Sequence, residues 1–191
     1  MGKVSFNISM SLDGYINGPG VTPEQGLGRG GEFLHEWAFN GNEKNRKLLE
    51  DSLQGVGAII SGRRTYDLSV PYWGGDGPSG DLRIPVFVLT HAPPADVPEG
   101  SVYTFVTGGI EDALEQAEAT AGDKNVVVGG GALTFRQYLA AGLVDVLSIN
   151  LVPVLLGGGT PLFEEGDETR LDLVEVIDTP LATHLRYRVP A

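Results

Sequence analysis

The chain has 191 residues, a formal net charge of −12 and a pI near 4.5, a balance that excludes gripping nucleic acid or an anionic membrane through a general positive field. Hydrophobic residues make up 41% of it, enough for the core of one ordinary domain over residues 1–191, which is the expected organisation. There is no cysteine, which rules out disulfides, a thiol nucleophile and any cysteine-ligated zinc site.

In chain order, VSFNIS (Val4 to Ser9) reads as a first strand. The N-terminal stretch lacks a basic region followed by an apolar run, and no apolar segment approaches the ~20 residues of a membrane span. A cytoplasmic protein with no membrane or nucleic-acid partner is the expectation. Residues 17–31 are too polar and too glycine-rich to pack, and they predict a mobile surface loop. Glu32 to Phe39 and Glu43 to Leu53 carry helical spacing, with Leu48, Leu49 and Leu53 on one face and Gly55 as a stop. A buried strand at Val56 to Ser61 leads into a helix start, GRRTYDL, and then a second glycine-rich loop over Tyr72 to Asp81. PVFVLT (Pro85 to Thr90) and SVYTFV (Ser101 to Val106) read as strands, and Ile110 to Ala121 as a helix. NVVVG (Asn125 to Gly129) is a strand running into three glycines. VDVLSINLVPVL (Val144 to Leu155) is a long apolar strand, and LDLVEVIDT with ATHLRYRV alternates like an antiparallel hairpin.

This order predicts an α/β fold of three layers, a central mixed sheet flanked by helices and finished by a C-terminal antiparallel hairpin. Ligands of such sheets bind beyond the C-terminal ends of the parallel strands, and three motifs fall there. In VVVGGGALTFRQYL the turn is all glycine and a helix begins at Ala132. Its free N–H groups and dipole make an anion site that a phosphate reaches without meeting a Cβ, although a tight turn without a ligand has the same pattern. In GAIISGRRTYDL, Gly62 ends a strand and Arg63 and Arg64 stand at a helix N-terminus, opposing the dipole by roughly a few tenths of a kcal/mol per charge. A bound phosphate reverses that balance; so do salt bridges to some of the 25 carboxylates. Thr65 has a hydroxyl for the same phosphate or for the helix cap. In FVLTHAPP, Leu89 and Thr90 end a strand and supply a wall and a hydroxyl for an adenine ribose.

SMSLDGYING, GRRTY, VLTH, VVGGGALTFRQYL and INLVPVLLGGGTPLF follow one another over nearly the whole chain. Together they resemble the dihydrofolate-reductase-like superfamily, and more closely its branch related to the reductase domain of riboflavin biosynthesis. The resemblance implies an NADPH-dependent oxidoreductase that transfers a hydride to a small pterin or pyrimidine-type heterocycle, and by analogy a homodimer. It places Gly129, Gly130, Gly131 and Ala132 at the cofactor pyrophosphate, with Gly62 and Leu133 beside them. Arg63, Arg64 and Thr65 fall at the 2′-phosphate, Leu89 and Thr90 beside the adenosine, and Ser9, Ile16 and Asn17 beside the nicotinamide.

Hydride transfer needs the two reacting carbons about 3 to 3.5 Å apart with water excluded, and a proton from elsewhere. Within GGEFLHEWAF, Glu32 is the carboxylate nearest to the one that orients the pterin in dihydrofolate reductases, and His35 shares its face one turn on. Glu32 equally suits an exposed helix start. Trp37 is a candidate to stack on a flat heterocycle, with burial in the core as the alternative. Asp13 in SLDGY and Gly158 in LLGGGTPLF are assigned to the substrate, against a turn contact at Gly14 and a bulge. Three scattered histidines give no ligand spacing, and no metal is expected. Without cysteine the chain also lacks the zinc deaminase half of the fuller riboflavin enzyme, and residues 17–31 are no close match to the loop that closes over folate. Two further readings stand beside the general reductase. One is a 5-amino-6-ribosylaminouracil-type reductase of riboflavin biosynthesis; the other is a non-catalytic protein that binds or senses NADPH.

Overall fold

A computed structural model describes residues 2–190. Its strands are β1 (Val4–Ser11), β2 (Val56–Gly62), β3 (Val86–Leu89), β4 (Tyr103–Val106), β5 (Asn125–Val128), β6 (Val146–Val152), β7 (Asp172–Asp178) and β8 (Thr183–Arg188). They form one sheet in the order β4-β3-β2-β5-β1-β6-β8-β7. The first six pair in parallel, whereas β8 runs against both β6 and β7. This is the mixed α/β sheet of the dihydrofolate-reductase-like fold. The second strand of the hairpin, β8, docks on β6, and its first strand, β7, becomes the outer edge.

The inner strands read as continuous apolar runs because both of their faces are covered. Alternation along β2 sends Ile60 to one side and Ile59 to the other. On Ile60's side, α4 (Ile110–Ala121) and α5 (Ala132–Ala140) cover Phe6, Phe87 and Val128. Tyr138 binds the two helices together by donating its hydroxyl to the Ile110 carbonyl at 2.8 Å. On Ile59's side, Tyr66 of α3 (Arg63–Trp73) packs against Val86, Val88 and Tyr103. A third cluster joins Leu34 and Trp37 to Val152 of β6 and Ala182. Trp37 lies in α1 (Glu36–Phe39), and α2 (Glu43–Leu53) adds Leu49 to the same cluster.

Four local expectations change for identifiable reasons. Tyr72 and Trp73 complete α3 instead of opening a loop, since Pro71 falls in its last turn and Gly74, at φ 56°, provides the stop. The long strand expected to Leu155 ends at Val152, just before Pro153, which has no N–H for the ladder. Glu32 to His35 belong to a 3₁₀ turn, Gly31–His35, and the α-helical turn begins only at Glu36. Residues 17–31 do pack. Gly18 donates its N–H to Leu27 O at 2.8 Å and Arg29 to Pro19 O at 2.9 Å, so the loop doubles back on itself. A Cβ on Gly18 would stand 2.0 Å from the Arg29 carbonyl oxygen, so glycine is required there by close packing. No described helix is long and apolar enough to cross a membrane.

Candidate functional site

A cavity of about 1290 Å³ opens over the C-terminal ends of β1 to β5, where parallel strands release their chains into loops and helices. It brings together Ile16, Asn17, Gly62 to Thr65, Leu89, Thr90 and Gly129 to Leu133. Glu32 and His35 line another part of its wall.

The glycine turns after β2 and β5 interlock. Gly130 and Gly131 have φ of 125° and 84°, conformations that L side chains rarely adopt. A Cβ on Gly130 would also stand 2.9 Å from Thr65 Cγ2. Reciprocally, a Cβ on Gly62 would stand 2.5 Å from Thr134 Oγ1. Each helix thus lays a threonine over the glycine that launches the other. The glycines meet protein atoms as well as facing the cavity, which a sequence reading in terms of ligand space alone misses. Neither α3 nor α5 receives a side-chain hydrogen bond from its capping residue, so first-turn N–H groups remain available to an anion.

Of its two expected uses, Arg63 shows the ion pair. Its Nε donates to Asp67 Oδ1 at 2.7 Å, and Nη1 donates to Thr90 Oγ1 at 3.2 Å and to the Ala92 carbonyl at 2.6 Å. Thr90 in turn donates to Ala92 O at 2.7 Å, so its hydroxyl is already engaged. Arg64 is exposed and makes no ion pair or hydrogen bond among the described residues.

At the other wall, 3₁₀ geometry eclipses residues i and i+3, setting Glu32 and His35 on one side. Glu32 is exposed to the open cavity. Burial pushes the His35 pKa below its ordinary 6.5 and keeps the ring neutral at neutral pH. Trp37 does not stack on anything in the cavity: it is 6% exposed and donates Nε1–H to Ser9 Oγ at 2.9 Å. Its ring meets His184 edge-on at 4.8 Å. Ser9 is therefore a core partner of Trp37 and also lies away from the cavity lining. Asp13 and Gly158 fall outside the lining as well. The Asp13 carboxylate accepts from Ser11 Oγ at 2.6 Å and from the N–H groups of Leu156 and Gly157 at 3.1 and 2.8 Å. The Ser11 bond foremost, with these amides, holds its pKa below the usual carboxylate value. Asp13 thus anchors the glycine segment at 157–159 to the end of β1. From that region Thr160 reaches the cavity, with its N–H on Asn17 Oδ1 at 2.9 Å.

Sequence reasoning missed Glu24, Leu68, Ser69, Tyr72 and Arg136 on the cavity wall. The signal for the α3 residues was present: Thr65, Leu68, Ser69 and Tyr72 follow i, i+3, i+4, i+7 spacing once the helix is extended to Trp73. Arg136 pairs with Glu164 Oε1 at 3.0 Å.

The sheet order and this cavity define the chain as a protein of the dihydrofolate-reductase-like fold. Residues 2–184 match the family described as the RibD C-terminal domain, and the chain belongs to that family. It is 30% identical over 189 residues to the uncharacterized protein YwjB of Bacillus subtilis (strain 168), covering 97% of each chain. A putative riboflavin biosynthesis protein from Shewanella sp. PV-4 has a similar crystal structure, with 26% identity, a TM-score of 0.72 and 99% of both chains covered. The dihydrofolate reductase of Enterococcus faecalis, solved with NADP(H) and RAB-propyl, shares the fold at 18% identity and a TM-score of 0.64, over 100% of this chain and 98% of its own.

Gly130→Ala should destabilise the protein by ~1–3 kcal/mol in urea unfolding, and Thr65→Ser, which removes the methyl it meets, should restore part of that loss. Equal losses with and without the Thr65 change would deny the interlock. The second expectation concerns acid. The unfolded chain gains protons on His35 and His184 as pH falls through 6.5, while burial, joined at His184 by Lys44, keeps both native rings neutral. Their stabilising share is complete above 6.5 and is lost as pH falls from there toward the depressed native values. Replacing His35 by Gln should flatten the fall of Tm across that window; an unchanged slope would exclude His35 as a source.

Proposed function

We propose that the protein is an NADPH-dependent reductase acting in the cytoplasm on a small heterocycle of the pterin or pyrimidine kind. The observation that carries this reading is the interlocked pair of glycine turns, which sets two uncapped helix N-termini side by side at one end of the cavity with Arg63 and Arg64 at their rim. At about 1290 Å³ the cavity exceeds the roughly 300–1,000 Å³ of a single-ligand pocket, which suits a cofactor and a substrate side by side. Membership of the RibD C-terminal domain family supports the same reading, as does a shared fold with a dihydrofolate reductase solved with NADP(H).

The residues present fit a dinucleotide. The first-turn N–H groups of α3 and α5 face a pyrophosphate, Arg64 with Arg63 faces a 2′-phosphate, Leu89 and Thr90 flank an adenosine, and Ile16 and Asn17 flank a nicotinamide. NADPH, when bound, supplies the hydride. The protein has to orient the acceptor ring, exclude water and deliver one proton. Glu32 is assigned hydrogen bonding to the ring and the proton path, and the neutral His35 is assigned orientation of the acceptor. The glycine loop at residues 17–31 covers the site. A homodimer belongs to this reading, supported by the apolar outer edge at β7, where Leu173, Val174 and Val176 are 59, 61 and 53% exposed.

Changing Arg63 and Arg64 together to Ala should weaken NADPH binding ~10-fold or more, the worth of one charged hydrogen bond, and leave NADH binding almost unmoved. Fluorescence titration with both nucleotides checks this, and equal losses for the two would deny the 2′-phosphate assignment. Glu32→Gln should lower kcat by ~10²–10⁴ with NADPH affinity unchanged; full activity in that variant would remove Glu32 from the proton path.

A further inference from the structure

Two asparagines of the chain are followed by glycine, Asn17 by Gly18 and Asn40 by Gly41. That dipeptide has a chemistry of its own. The backbone nitrogen after an asparagine is placed to attack the side-chain carbonyl carbon and close a succinimide ring, and glycine, without a Cβ, shields its nitrogen least. The reaction needs a side-chain amide that can swing, an N–H free of other bonds, and a peptide able to turn between them. The fold grants these to one pair and withholds them from the other.

Asn17 is held at each of these points. Its Oδ1 accepts from Thr160 N at 2.9 Å, and Gly18, which is buried, donates its N–H to Leu27 O at 2.8 Å. A Cβ on Gly159 would stand 2.0 Å from the Asn17 carbonyl oxygen and one on Gly28 2.2 Å from that of Gly18, so the peptide has no room to turn. Asn40 is the opposite case. It is exposed, stands at the C-terminal end of the single turn α1, and its side chain has no hydrogen bond among the described residues. The Gly41 N–H likewise donates to nothing among them. Helix ends open locally at far less than the cost of global unfolding. Gly41 is tight only at its Cα, where a Cβ would stand 2.0 Å from Trp37 O and 2.4 Å from Asn45 Cβ.

We propose that Asn40 is a self-modification site, converting without an enzyme to aspartate and isoaspartate, and that the fold protects Asn17 from the same reaction. The Gly41 nitrogen bonds to Asn40 Cγ, and its proton leaves with the side-chain nitrogen as ammonia. Water then opens the succinimide, its hydroxyl going to one ring carbonyl and its proton to the nitrogen released. Opening at the side-chain nitrogen bond leaves an aspartate on an ordinary backbone; opening at the backbone bond routes the chain through the former side chain. The second product lengthens the backbone by one methylene, at a place where Gly41 has no space against Trp37 and Asn45. Both products add a negative charge next to Phe39, which lines the cavity and is 81% exposed.

The test is incubation of the whole protein in mildly alkaline buffer at body temperature, with peptide mapping by mass spectrometry for the mass gained when an amide becomes an acid. In the folded protein Asn40 should convert at least ~10-fold faster than Asn17, whose hydrogen bonds must open first. In urea the two rates should converge. Equal rates in the folded protein, a faster Asn17, or an Asn40 that gains mass only in urea overturns the proposal. The consequence for the backbone has its own readout. The isoaspartate form, separated by chromatography, should melt several degrees below the fresh protein, whereas Asn40→Asp, with the same added charge on an ordinary backbone, should melt close to it. An isoaspartate form that melts with Asn40→Asp overturns the claim that Gly41 leaves no room for a longer chain.

Discussion

The site depends on one packing constraint: the ends of β2 and β5 are close enough that the helix leaving each strand touches the turn of the other. Thr65 lies over Gly130 and Thr134 over Gly62. Neither turn can accept a larger residue without pushing the opposite helix away. The two N-termini are held in fixed relation by the protein, before any ligand arrives. Preorganised donors of this kind bind an anion without first being ordered, which keeps the cost of association low. The parallel pairing of β2 with β5, Ile60 opposite Val128, sets the distance between the turns.

A second tie holds the far side of the cavity. Asp13 is exposed, yet three donors converge on it, two of them backbone N–H groups more than 140 residues away in sequence. It joins the turn after β1 to the glycine segment that follows β6, and Thr160 passes that order on to Asn17 at the cavity wall. A residue assigned to the substrate acts instead on the backbone that shapes the cavity. Trp37 is a similar case: its indole N–H is spent on Ser9, and its ring on His184.

Much of the architecture was legible because local signals agreed with the global arrangement. The helix at Ile110–Ala121 has acidic residues in its first turn, Ala113, Leu114, Ala117 and Ala121 buried along one face, and Gly122 past its end; its bounds were readable as they stand. The glycine turns at the cavity were legible for the same reason, since Gly62 and Gly129 to Gly131 stand where β2 and β5 end. The opposite wall was not. Tyr72 and Trp73 precede a run of glycines and look like loop, and Glu24 lies in a segment whose packing depends on backbone contacts, which leave no hydrophobic pattern. Trp37 fits a pocket and a core equally well in one dimension, and only the position of Ser9 decides between them. The order of the last strands was also hidden, because alternation identifies a hairpin without saying which of its strands docks on β6.

That order matters for how the chain reaches its final form during synthesis. Among the described strands β8 is made last, yet it lies inside the sheet, between β6 and β7. Until it emerges, β6 has its partner β1 on one side and an unpaired row of backbone donors and acceptors on the other, and β7 has no neighbour at all. Open edges of that kind invite pairing with other chains. The nascent protein therefore carries open edges at β6 and β7 in the interval before residues 183–188 leave the ribosome, and truncation within that strand would keep them open.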